Sequence, residues 1–195
     1  MAITLQVLPQ HIQQSLKLIS SAINNTPQFG GPAQRVSRMG DRYQMDVTTR
    51  SLMYADAAAL IADLTQGTSQ KVLCPVQQPG LVIGSTGNPV VSSGSGSTLN
   101  LTGFAANYPI RKGQFFSLVH GGKRYLHYAS AAATANASGV VALSIWPMLR
   151  TTVSGGDVCE FAVPKIEGFL SDTSWSWSVG IAQTVGLTFS IVEST

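Results

Sequence analysis

The chain has 195 residues, of which 12 are Lys or Arg and 9 are Asp or Glu, so charged residues make up 11% against 44% hydrophobic. That proportion excludes a disordered chain, which needs little apolar content and much charge, and a coiled coil, which needs many Glu and Lys. With 19 glycines and a mean hydropathy of +0.18, it predicts a globular protein too poor in charge to keep its whole surface wet. Copies of the chain are therefore expected to cover part of it.

The net charge of +3 and the pI of about 9.0 do not amount to a nucleic-acid signature. No basic run exceeds the pairs Arg111-Lys112 and Lys123-Arg124, whereas phosphate tracking needs a basic stripe. The first sixteen residues hold no Lys or Arg and no long apolar run, so no secretory leader is expected. Cys74 and Cys159 then read as reduced, buried small hydrophobes, and the sequons at Asn24, Asn100 and Asn136 carry no meaning. Asp56 and Asp63 interrupt the best apolar stretch, so no membrane insertion is expected.

In chain order, residues 3–8 alternate as a strand, with Ile3, Leu5 and Val7 on one face. Residues 12–23 fit either a helical stripe or a strand, and the absence of a capping box favours strand. Residues 24–32 are turn chemistry throughout. Residues 34–39 and 43–47 read as a hairpin around Gly40-Asp41, with Arg35 and Arg42 outward. The one helix is predicted at 53–65, with Leu52, Ala59, Leu60 and Leu64 as its apolar stripe, Ser51 as N-cap and Gly67 as a C-terminal residue of positive φ.

From 76 to 163 the texture changes to short apolar runs separated by Gly, Ser, Asn and Pro, the spacing of a small barrel or sandwich. Within it, residues 92–97 (Ser-Ser-Gly-Ser-Gly-Ser) read as a mobile low-complexity loop. The Gly121-Gly122 pair predicts a tight hairpin. Pairing outward from it puts Leu118 opposite Tyr125, Phe116 opposite His127, Val119 opposite Arg124, Ser117 opposite Leu126 and Phe115 opposite Tyr128. The tail, 174–192, reads as two strands, the first with Trp175, Trp177 and Val179 on one face.

Catalytic chemistry is sparse. Of the three histidines, His11, His120 and His127, the second flanks the Gly-Gly turn and is expected to be exposed and idle. Two histidines alone do not make a metal site. No nucleophile elbow, Cys-x-x-Cys, phosphate loop or dinucleotide fingerprint occurs. Asp157 and Glu160 lie at an odd offset that points them to opposite faces of a strand. No enzyme, metal or cofactor is expected. The stretch 111–128 mixes Arg111, Lys112, Lys123 and Arg124 with Phe115, Phe116, Tyr125 and Tyr128, the composition of a single-strand nucleic-acid platform. The aromatics divide between both faces of the hairpin, which favours core over platform.

The ordered set of segments carries a resemblance. A Phe29-Gly30-Gly31 turn is followed by a strand with Gln34 and Arg38, then Gly40-Asp41-Arg42-Tyr43 and an Ala-rich helix over 54–64. A Pro-bounded insertion then holds Lys112-Gly113-Gln114-Phe115-Phe116, Tyr125-Leu126-His127 and Ile145-Trp146-Pro147-Met148-Leu149-Arg150. Over essentially its whole length the chain resembles the distal tail proteins, and related minor tail and baseplate proteins, of long-tailed siphophages. Gln66-Gly67 stands where that family usually has an Arg-Gly pair.

The resemblance implies a mainly β fold: a discontinuous β-sandwich with one α-helix, built from 1–75 and 164–195, plus an inserted small OB-like β-barrel over 76–163. It also implies a virion protein whose copies, six in the family, close a ring between tail tube and tail-tip hub. Its partners would be itself, the tube protein and the hub protein, with the tape measure protein and DNA only passing through the lumen. Alternatives are a tail tube or other baseplate ring protein, a nucleic-acid-binding barrel, and a carbohydrate-binding barrel using Tyr125, Tyr128 or Trp146.

Overall fold

The computed structural model describes residues 2–6, 12–172 and 174–194. Val7 and Leu8 at the end of the first predicted strand, and His11, lie outside the described residues. The fold is mainly β, with two cores.

The first lobe is a six-stranded sheet in the order β1 (Ile3–Thr4), β7 (Val72–Pro75), β16 (Lys165–Leu170), β18 (Thr188–Glu193), β5 (Arg42–Thr49) and β2 (Ile12–Ile19). Only β1 and β7 run parallel. Strand β5 alternates strictly, burying Tyr43, Met45, Val47 and Thr49, and this period-2 pattern fixes its register between β2 and β18. The second layer is α1 (Tyr54–Gly67) with the short ladder β6 (Leu52–Met53) and β17 (Thr184–Val185). Leu60, Ile61 and Leu64 of α1 pack with Met45, Val47, Val72 and Ile166 in one cluster. Each fully buried side chain of this kind contributes roughly 1.5–3 kcal/mol.

The helix corrects three expectations. It begins at Tyr54 after an uncapped Met53, not at a Ser51 cap, and it ends one residue before Thr68, a residue in the right-handed region. Gly67 is the last helical residue, and its use is close approach: a Cβ there would stand 2.6 Å from Val72 Cγ1. Ala59 is exposed, and Ala57 and Ile61 take its place on the buried stripe.

The predicted hairpin around Gly40 is also corrected. Strand β4 (Gln34–Val36) pairs back onto β3 (Ile23–Asn25) across the Phe29-Gly30 turn, and β5 pairs with β2 instead. The result is a protruding two-stranded arm. Residues 12–19 form the favoured strand.

The chain leaves the sheet after β7 and returns at β16, and the two points touch: the Val76 N–H donates to the Pro164 carbonyl at 2.8 Å. Between them lies a closed six-stranded barrel in the order β11 (Phe115–His120), β12 (Lys123–Ala129), β14 (Val141–Trp146), β9 (Thr98–Phe104), β8 (Gly87–Ser95) and β15 (Val158–Glu160), with β15 closing back onto β11. It has one strand more than a five-stranded OB barrel. All five cross-strand pairs expected around Gly121-Gly122 are present, and both glycines take positive φ, 57° and 75°, as a primed turn requires.

Two expectations fail nearby. Residues 92–95 belong to β8 rather than to a mobile loop, because the barrel needs small residues there: a Cβ on Gly94 would stand 2.7 Å from Leu99 Cδ1. Residues 81–83 form no strand, and neither do the described residues of 174–183.

Candidate functional site

The β11–β12 hairpin turns one face into the barrel and the other toward the sheet lobe. Phe116, Leu118, Tyr125 and His127 belong to or line the barrel core. Leu126 belongs to the core of the sheet lobe, and Phe115 and Tyr128 pack half-buried against it. Phe115 meets Tyr43 edge-on at 5.9 Å and Tyr128 at 5.7 Å, contacts worth about 0.5–1.5 kcal/mol each beyond their area. Ser117 Oγ donates to the Lys165 carbonyl at 2.8 Å and accepts from its N–H at 2.6 Å. Gln78 Oε1 accepts from the Phe115 N–H at 2.7 Å, and Gln14 of β2 reaches both the Pro75 carbonyl and the Gln77 N–H at 2.8 Å.

The chain contains only three glutamates, Glu160, Glu167 and Glu193, and all three lie at this junction. Glu193 ends β18 at a core-facing position after Phe189 and Ile191, and its side chain is fully buried. Oε2 accepts from the Tyr43 N–H at 3.0 Å, and Oε1 accepts from the Leu126 N–H at 2.7 Å and pairs with Arg150 Nη2. Burial pushes this carboxyl up, while Arg150 and the two backbone donors pull it back toward ionisation. Arg150 itself lies 5.2 Å from the centre of the Tyr125 ring, a cation–π contact. Burial, with the nearby Tyr128 and Glu193, also drives the Tyr43 hydroxyl far above its usual range.

Glu167 accepts from the Arg124 N–H at 3.0 Å and faces Lys71 at 3.7 Å. Arg124 grips Glu160 with two bonds, 2.9 and 3.0 Å long, the geometry that makes Arg–carboxylate pairs strong. Burial opposes ionisation of Glu160, yet that grip and the charges of Arg124 and Lys165 hold its carboxyl below the usual range. Carboxylates from β15, β16 and β18 thus take donors from β5, β12 and the segment after β14, tying barrel to sheet.

The sequence-derived candidates are not brought together. Tyr128 and Trp146 are cross-strand neighbours, but Tyr128 packs against the sheet lobe. Tyr125 points into the barrel core, 9% exposed. The odd offset between 125 and 128 sends the two rings to opposite faces. Phe115 and Phe116 are likewise spent on junction and core, while Arg111, Lys112 and Lys123 are exposed without an aromatic face between them.

His120 is not idle: its Nδ1 lies 2.8 Å from Asp157 Oδ2. His127 is buried with Nδ1 2.8 Å from the Pro147 carbonyl, so Nδ1 carries the proton. Burial and the Arg150 charge push its pKa down to about 4. Asp157 and Glu160 serve different partners, His120 and Arg124. Cys74 and Cys159 are free and buried, one in each core, and burial pushes the Cys74 thiol up to about 12. Among the described residues no group of His, Cys, Asp and Glu is placed to hold a metal, and no helix is long and apolar enough to cross a membrane.

Sequence reasoning missed Glu193 and Arg150. The signal for Glu193 was present, since a period-2 strand 188–193 puts a charge at an inward position, where an ion is buried only with a partner. Nothing in the spacing could name that partner, 43 positions away.

Exposed apolar side chains are spread over the surface, Met53, Val82, Val163 and Phe169 among them, and two segments carry several each. Every residue from 23 to 39 is exposed, including Ile23, Val36 and Phe29, the last 98% exposed. In the segment before β17, Trp177, Val179 and Ile181 face solvent, while Trp175 packs inward and against the Trp177 ring at 5.1 Å. No protein-family model matches the chain, and no curated protein matches it in sequence.

Proposed function

We propose that this is a structural virion protein that assembles with copies of itself into a ring at the distal end of a long phage tail. The ring joins the tail tube to the tail-tip hub and leaves a lumen for DNA and the tape measure protein. The observation that carries the reading is that the 23–39 arm and the 176–181 segment each bear several exposed apolar side chains in a chain with so few charges. Large apolar surface left bare on a monomer marks an interaction site, and obligate assemblies use more hydrophobic contacts than transient ones. A contact between two different patches of one chain is heterologous and closes into a ring when its rotation allows.

The resemblance to distal tail proteins supplies the biological setting, and a helix-bearing sheet lobe interrupted by a small barrel is the architecture that resemblance implies. A junction locked by buried ion pairs suits a part whose work is to hold a shape. Contact with passing DNA is weak, since tight phosphate binding would stall ejection.

The test is mass photometry and negative-stain imaging of the purified protein over rising concentration, alone and with tube protein. Rings are expected for the native chain, and loss of rings with an unchanged fold for the double variant Phe29→Ser, Ile181→Ser. A native chain that stays monomeric under every condition overturns the proposal.

A further inference from the structure

One charged group near the barrel mouth has more donors than its surroundings have acceptors. The Arg150 side chain is 6% exposed and pairs with Glu193 through Nη2 alone. Its Nε and Nη1 have no hydrogen-bond partner among the described residues. Glu193 has little to add, because its oxygens already take the Tyr43 and Leu126 N–H groups. A buried charged donor without an acceptor carries a large desolvation cost, and such a group in a folded protein calls for an explanation.

Arg150 is also a wall of two cavities. One, of about 260 Å³, is bounded by the Gly94–Gly96 turn, Leu149, Thr151 and Thr152, and the other, of about 250 Å³, by Gly40 and Tyr125. Met39 borders both and is 70% exposed. Its unbranched side chain is adaptable, so the partition between the cavities is a movable one. The two cavities thus form one cleft divided by Met39, with Arg150 in the wall of both parts and its guanidinium held by Glu193 and the Tyr125 ring.

We propose that Arg150 anchors a carboxylate-binding site in this cleft, and that its ligand is a carboxylate of a partner polypeptide, either a chain terminus or an Asp or Glu side chain. Among the described residues Arg150 is the only cation lining either cavity, and no acid lines them. A monoanion is therefore matched, whereas a dianionic phosphate would lack a second cation. The Thr151 and Thr152 hydroxyls add neutral donors suited to the outer carboxylate oxygen.

The test is a titration of the full chain, labelled with ¹⁵N-arginine, in which the Arg150 Nε–Hε resonance is followed against sodium acetate, with sodium chloride at equal ionic strength as reference. A saturable shift with acetate and none with chloride is expected. Met39→Ala should tighten binding, and Met39→Trp, a larger side chain at the divide of the cleft, should weaken it by at least about tenfold. Both variants change an exposed side chain, so the fold is not at stake.

Acetyl-Gly-Gly with a free terminus and acetyl-Asp-amide then distinguish the two sources by which binds more tightly. No acetate-specific shift in the native chain and Met39→Ala at up to about 100 mM, or a response that Met39→Trp leaves unchanged, overturns the proposal. Met39 lies on the 23–39 arm, so ring formation is scored on the native chain alone: rings without an acetate shift overturn this proposal only, and an acetate shift without rings overturns the assembly reading only.

Discussion

Replacing Glu193 by Gln tests whether the junction is held by charge or by packing alone. The carboxylate is fully buried and its partner Arg150 is 6% exposed, so neither end of the pair is screened by solvent. Gln keeps one oxygen for either the Tyr43 or the Leu126 N–H and leaves the guanidinium without a counter-ion. Removing one partner of a buried pair costs about 3–5 kcal/mol, a large share of the roughly 5–15 kcal/mol that holds a typical domain. The expected loss is about 3 kcal/mol, the lower end of that range, because Gln still takes one of the two backbone N–H groups. For a chain of this size that lowers Tm by about 10 °C.

The double variant Glu193→Gln, Arg150→Met removes both charges and should recover about 2 kcal/mol, since apolar replacement of a whole buried pair is often neutral or better. Urea unfolding followed by far-UV circular dichroism and by tryptophan fluorescence measures both. Trp146 reports on the barrel and Trp175 on the sheet lobe, so Glu193→Gln should also split one transition into two. A single variant within about 1 kcal/mol of the native chain, or a double variant no more stable than Glu193→Gln alone, refutes the reasoning.

Acid should weaken the barrel through His127. Its pKa in the folded chain is depressed from 6.5 to about 4, so below 6.5 the unfolded chain binds a proton that the folded one refuses. Stability is lost as pH falls through that window, by about 3 kcal/mol in full. His127→Gln keeps a donor for the Pro147 carbonyl and should show that much less loss between pH 7 and pH 4 in parallel urea titrations; equal slopes would count against the assignment. At the β16–β18 ladder, Gly168 faces Glu193, and a Cβ there would stand 2.0 Å from the Val192 carbonyl oxygen. Gly168→Ala should cost about 3 kcal/mol or more by thermal unfolding, while Gly180→Ala, with its nearest contact at 3.5 Å, should change little.

What could be seen in the sequence was local. The Gly121-Gly122 turn dictates a register, so each pair from Val119–Arg124 out to Phe115–Tyr128 followed from counting. The helix was visible in its apolar period, but its cap was not, because Tyr54 is fixed by a bond from its N–H to the Gln183 carbonyl, far away in sequence. The arm was misassigned for a related reason. Strand β5 meets β2 and β18 on its two edges, so β4 was left to pair with β3, and a neighbour across space outbid a neighbour along the chain. The Ser/Gly run at 92–97 resembled a loop because its small residues are chosen by Leu99, Leu149 and Val153 closing in on Gly94. Long-range pairing also hid the Arg150 cleft, whose walls come from residues 39–40, 94–96, 125 and 149–152.

Strands β7 and β16 lie side by side with Pro75 opposite Lys165, so the entire barrel stands where an ordinary β-hairpin would carry a turn of a few residues. Such a site accepts cargo of any size whose two ends emerge close together, and loop-closure entropy penalises the added length only weakly. The glutamates impose the second condition. A substitute cassette would have to replace Arg150 and the Leu126 N–H on Glu193 and the Arg124 N–H on Glu167, or the host sheet would keep only the Tyr43 N–H and Lys71 to meet these carboxylates. Replacement of the module in this chain is therefore gated less by shape than by whether the incoming piece carries the matching donors.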